Sequence, residues 1–175
     1  NIGIIVIVTI HVGRMKKFPT DTTPEERIPS QDYAYYARTA TENLRRILEL
    51  ADGRFTICVE SYQMDTAVIE LLMLFLEHEE LALCWDLAKS NSTVEPFFLE
   101  HLRHVKQVHL HDKRHTPKGL RGHRVIGTGE LDFRYYFNAL RQADALDYCI
   151  EVRPQEKARD SLIALRRILQ TENME

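Results

Sequence analysis

Short runs of β-branched and apolar residues alternate along the chain with longer stretches in which apolar side chains recur every three or four positions. The short runs predict strands at 4–11, 55–62, 81–87, 105–112 and 146–152, each bounded by polar or turn-forming residues. The longer stretches predict helices over 30–50, 65–79, 93–104, 133–143 and 155–169. Start and stop signals agree: Ser30, Asp65 and Thr93 stand where N-caps are wanted, Pro154 precedes the last helix, and Ala51-Asp52-Gly53 ends the first. Strict alternation of strand and helix predicts an α/β protein with a parallel sheet joined by right-handed crossovers. Two connections are long, 12–29 with its three prolines and 113–132 with Gly119, Gly122, Gly127 and Gly129. Both follow the C-terminal end of a strand, where parallel α/β proteins place their ligands. Five βα units are too few for an eight-unit barrel of about 250 residues, so the predicted single domain, 1–175, is either a small open sheet or part of a barrel.

Composition narrows the class. A chain of 175 residues, 44% hydrophobic, can build one core. Its longest apolar run, 2–10, is strand-sized and too short to cross a membrane, so a soluble protein is expected. With 23 Lys and Arg against 26 Asp and Glu, the net charge of −3 provides no global attraction to nucleic acid or anionic lipid. Cys58, Cys84 and Cys149 are odd in number and far apart, which fits neither a disulfide framework nor a CxxC zinc pattern and leads to the expectation of a reducing cytoplasm. The first residue, Asn1, leads directly into a strand without a basic segment or cleavage site, which reads as a cut start rather than a signal peptide.

The candidate chemistry lies at the strand ends. In order they read His11-Val12-Gly13, Val59-Glu60, Trp85-Asp86, His109-Leu110-His111-Asp112 and Glu151-Val152-Arg153, so each strand brings an imidazole or a carboxylate to one mouth. Charged groups converging at the end of a buried sheet need a shared partner. Glu60, Asp86, His109 and Glu151 form an oxygen-rich donor set suited to one divalent metal ion, Mn²⁺, Mg²⁺, Co²⁺ or Zn²⁺. Each cysteine lies two residues before one of these and shares its face, one layer deeper, as small interior filler. The segment 113–124 carries five Lys or Arg in twelve residues; with Lys89, Arg14 and Lys16 it is read as a loop closing over an anionic substrate.

These residues resemble the xylose isomerase-like TIM-barrel superfamily of sugar isomerases, sugar-phosphate epimerases and AP endonuclease IV. His11-Val12-Gly13 is similar to the strand-four His-Pro-Gly, Glu60 to the strand-five glutamate, and Asp86 to the aspartate of the strand-six Asp-x-x-His. Val108-His109-Leu110-His111-Asp112 resembles the strand-seven His-Leu-x-Asp, His123 through Phe133 the His-x-x-Ile-Gly-x-Gly-x-Ile-Asp-Phe segment, and Glu151 the last metal glutamate. The resemblance implies an incomplete TIM (β/α)8 barrel, strands four to eight, with one open edge that a homodimer would cover. It also implies a metal-dependent isomerase or epimerase acting on a sugar or sugar phosphate through an enediolate. In that reading Glu60 and Glu151 exchange the proton, while His11, Lys89, His123 and Arg153 bind substrate. Two nuclease zinc ligands are replaced by Lys89 and Arg121, which disfavours three zinc ions and a nucleic-acid partner. The competing expectations are an AP endonuclease IV-like hydrolase and a non-catalytic, sugar-binding or structural remnant of the barrel.

Overall fold

The structure, a computed structural model, describes residues 6–13, 31–76, 81–144 and 146–172. Five strands form one parallel sheet: β1 (Ile7–Ile10), β2 (Thr56–Glu60), β3 (Ala82–Asp86), β4 (Val105–Leu110) and β7 (Asp147–Ile150), in that spatial order. Helices α1 (Gln31–Ala51), α2 (Thr66–Leu76), α3 (Val94–Glu100), α4 (Phe133–Leu140) and α5 (Gln155–Glu172) alternate with them. The expected α/β alternation is thus present. Two local readings are corrected. Residues within 113–132 do not form only a loop, because β5 (Asp112–Thr116) and β6 (Gly119–Arg124) pair as an antiparallel hairpin. The third helix is shorter than predicted, with a 3₁₀ turn over Leu102–His104 separating it from β4. Arg14, Lys16 and most of 12–29 lie outside the described residues.

Local chemistry explains the boundaries. Asp65 Oδ1 accepts from the Val68 amide at 3.0 Å and caps α2 as its sequence position suggests. At α3 the cap is Asn91 rather than Thr93, since Asn91 Oδ1 accepts from the amides of Thr93 at 2.9 Å and Val94 at 3.1 Å. Helix α1 ends where Asp52 and Gly53 turn left-handed, with φ of 48° and 65°.

Because side chains alternate across a strand, the sheet has two distinct faces. Val59, Leu83, Trp85, Val108 and Leu110 enter the core beneath the helices, meeting Leu72, Phe75, Phe98, Phe137 and Leu165. Trp85 stacks on Phe98 at 5.2 Å, meets the edge of Tyr136 at 5.4 Å, and satisfies its indole N–H on Ser90 Oγ at 2.7 Å. On the other face Cys58, Cys84 and Ala82 form a small, separate cluster against Ile7. Cys149 shares that face but is exposed, which corrects the reading of all three thiols as interior filler. Its strand, β7, pairs only with β4 among the described strands.

Burial pushes the Cys58 thiol up to about 12 and raises Cys84 as well, so neither forms thiolate near neutral pH. A thiol-specific alkylating reagent at pH 8 is expected to modify Cys149 alone in the native chain and all three cysteines in denaturant. Peptide mass mapping checks this; equal native labelling of Cys58 and Cys149 would contradict the packing.

Candidate functional site

Register decides which side chains meet at the mouth. Glu60 lies beside Cys84 in the β2–β3 pairing, whereas Asp86 lies beside His109 in the β3–β4 pairing. Glu60, Asp86 and His109, all buried, offer donor atoms within 4.8 Å of one another. Glu151 joins from β7: its Oε1 lies 3.4 Å from His109 Nδ1, while Glu60 Oε2 lies 3.7 Å from the same nitrogen. A second group, His111, His123 and Glu151, is equally close-set, so Glu151 stands between the two.

The hydrogen bonds define what each group can still do. His109 Nε2 lies 3.2 Å from Gln107 Oε1, an oxygen that can only accept, so that nitrogen carries a proton. Gln107 Oε1 also accepts from the Thr9 hydroxyl, which holds the carboxamide in place. His109 Nδ1 is then left buried without a hydrogen-bond partner and faces two carboxylates. An imidazole pinned at one nitrogen and free at the other is the usual arrangement of a metal-binding histidine. Glu60 Oε2 receives His11 Nε2 at 2.6 Å. Burial alone would raise the Glu60 carboxyl, but the imidazoles of His109 and His11 outweigh it and hold the group below the usual carboxylate range. Burial likewise pulls His109 down, and Glu60, Glu151 and Asp86 outweigh it, so the imidazole is raised.

Charge balance points the same way. Three carboxylates, Glu60, Asp86 and Glu151, meet at this mouth, and among the described residues their ion-pair partners are the imidazoles of His11, His109 and His111, with no lysine or arginine. Buried unpaired charge is costly, so the arrangement suits a cation. The donor set, three carboxylate oxygens and one imidazole nitrogen, fits a divalent ion of intermediate or hard character.

The remaining predicted residues distribute around this centre. Lys89 Nζ lies 5.7 Å from the centre of the Tyr62 ring, and Tyr62 in turn packs against the His11 ring at 5.1 Å. His123 lies on β6; its Nδ1 donates to the Glu151 carbonyl at 3.0 Å, which ties the hairpin to the end of β7. Arg153 stands exposed just beyond β7 and forms no ion pair with the cluster among the described residues.

Sequence reasoning gave no role to three contributors, Tyr62, Gln107 and His111, of which only His111 was noted, as part of the fourth strand end. Tyr62 and His111 each follow a ligand candidate by two positions, and Gln107 precedes His109 by two, so the strand period places all three on the site's face. Asp112 serves the scaffold instead. Its Oδ2 accepts from the amides of Gly127 at 3.0 Å and Gly129 at 2.7 Å, and its Oδ1 from those of Lys113 at 2.8 Å and Leu131 at 3.1 Å.

A family model described as xylose isomerase-like TIM barrel matches residues 1–168. Among solved structures, the xylose isomerase domain protein from Planctomyces limnophilus superposes with a TM-score of 0.60 at 18% identity, covering 94% of this chain. The chain spans 57% of that neighbour's length. No curated protein matches.

Proposed function

We propose, from the premise that this chain belongs to the xylose isomerase-like TIM-barrel family, that it is a divalent-metal-dependent isomerase or epimerase acting on a sugar or sugar phosphate. The observation that carries this reading is the buried His109 Nδ1, without a hydrogen-bond partner and facing carboxylates from two other strands at 3.4 and 3.7 Å. Glu60, Asp86, His109 and Glu151 would hold the ion. When bound, it supplies Lewis acidity to the carbonyl and neighbouring hydroxyl oxygens of the sugar, which acidifies the carbon-bound hydrogen between them.

The chain's own residues then manage the proton. Glu60 and Glu151 come from strands separated by β3 and β4, so they approach the site from opposite sides. One takes the proton from carbon and the other returns it. Glu60 is nearly enclosed and is kept ionised by its imidazole neighbours, as a base requires. Glu151, with its side chain 32% exposed, has access to solvent protons. His11 orients Glu60 through their 2.6 Å contact. Lys89 and Arg153 provide positive charge at the mouth for a phosphate or carboxylate, which favours an anionic sugar over a neutral one. The cation Lys89, lodged between the Tyr62 ring and Gly122, disfavours a multi-zinc nuclease centre.

Elemental analysis of protein purified without chelator is expected to find about one divalent ion per chain, lost on Glu151→Ala. About three zinc ions would instead return the AP endonuclease reading to first place. No metal even after reconstitution would leave a barrel remnant that binds sugar without turnover.

A further inference from the structure

His111 has no place in the proposed ligand set, yet it is wholly buried and both of its ring nitrogens are engaged. The His123 amide donates to Nδ1 at 2.9 Å, and Nε2 lies 3.2 Å from Asp86 Oδ2. The Asp112 carbonyl also lies 3.2 Å from Nδ1, but a carbonyl only accepts, and one nitrogen cannot both donate to it and accept from His123. The neutral ring protonated on Nε2 satisfies the amide and the carboxylate together, whereas the other tautomer satisfies the Asp112 carbonyl alone and a doubly protonated ring would turn an N–H on the His123 amide. The ring is therefore a relay that accepts from the hairpin and donates to Asp86. Its faces are fixed as well: the His123 ring lies 4.2 Å away at 31°, and Gly122 packs so closely that an added Cβ would come within 3.2 Å of His111 Cε1. Asp86 is held at its other oxygen too, since Oδ1 accepts from the Ala88 amide at 3.0 Å.

We propose that His111 is a positioning residue that ties the hairpin to Asp86, so that a divalent cation at the carboxylate cluster and the seating of residues 119–124 over the mouth favour one another. The inference rests on the metal-site reading above and deepens it. A cation that fixes the Asp86 carboxylate also fixes the acceptor of His111 Nε2–H, which sets the ring to receive the His123 amide. Conversely, a seated hairpin holds the ring and, through it, the carboxylate. Linkage makes the two effects equal in size.

The test uses Co²⁺ alone as the probe, with its visible absorption reporting affinity and hydrogen exchange reporting protection of the 119–124 amides. In the parent chain Co²⁺ is expected to slow exchange in the hairpin. His111→Phe keeps a planar aromatic ring, somewhat larger, and removes both hydrogen bonds; it should lose roughly 10- to 100-fold in Co²⁺ affinity and abolish the Co²⁺-dependent protection. His111→Gln offers a carboxamide oxygen to the His123 amide and an N–H to Asp86, and should recover most of both. Should the phenylalanine variant fail to fold, Gly122→Ala presses on the ring without touching a proposed ligand and is expected to weaken Co²⁺ binding and the protection together.

Parent-like affinity and protection in His111→Phe, or in Gly122→Ala where that takes its place, would overturn the relay. If Glu60→Gln meanwhile loses Co²⁺, the metal site stands without it. A parent chain that binds no Co²⁺ overturns both.

Discussion

Glu60→Gln is expected to lower turnover by about 10²- to 10⁴-fold, the range associated with removing a positioned acid–base group. The measurement is wash-in of deuterium from solvent at the carbon beside the carbonyl, followed by proton NMR over a panel of aldoses, ketoses and their phosphates with a divalent ion present. The substitution preserves shape, so the effect is chemical. An amide cannot accept a proton from carbon, and it removes one of three carboxylates gathered around His109. The same variant should also change stability. Without metal, the variant should melt somewhat below the parent, because the folded chain holds the Glu60 carboxylate ionised against His11 and His109, and stabilisation by added metal should shrink as well, because an ion stabilises only the state that binds it. Exchange within threefold of the parent would remove Glu60 from the proposed proton path.

Gly129→Ala is expected to destabilise the chain by about 4 kcal/mol, among the larger effects a single substitution produces. A Cβ at this position would lie 2.2 Å from the Lys113 carbonyl oxygen and 2.3 Å from Asp112 Oδ1, distances at which backbone or carboxylate must move. Moving Asp112 breaks into its four amide hydrogen bonds, three of which hold the 125–131 turn, and buried groups left unpaired cost about 1–3 kcal/mol each. For a chain of this size the melting temperature should fall by roughly 8–16 °C, at about 2–4 °C per kcal/mol. Gly127→Ala is a useful companion, since its position has open space but φ of 80°, so only backbone strain is added and the loss should be smaller. A Gly129→Ala protein melting with the parent would mean that the Asp112 anchor is misplaced.

Much of the scaffold was legible from period alone. Strands such as 105–110 and helices such as 66–76 follow from side-chain repeats that solvent exclusion enforces locally. The hairpin was not legible in the same way. Residues 112–124 are rich in charge and glycine and lack an apolar face, and their pairing is set by anchors from elsewhere, Glu130 on His115 and the Asp112 carboxylate on the following turn. The exposure of Cys149 was equally hidden, because alternation specifies which face a residue occupies and not whether anything covers that face. Likewise Asn91 and Thr93 are both plausible caps by type, and only the backbone path into α3 selects Asn91.

The candidate site divides along the same line. Sequence by itself determined that each strand carries an ionisable group to a common end, and therefore that Glu60, Asp86, His109 and Glu151 share a mouth, because direction and period are properties of the chain. Tertiary structure decided how those groups are used. The stagger between strands sets Asp86 beside His109 and Glu60 one row lower, and Gln107 occupies one nitrogen of His109 and frees the other. His111 is turned by the hairpin toward Asp86, although its spacing matches that of a ligand. Those choices depend on contacts between residues up to 98 positions apart, such as Thr9 with Gln107. Such contacts arise from strand register and packing, which local sequence constrains only through the complete sheet.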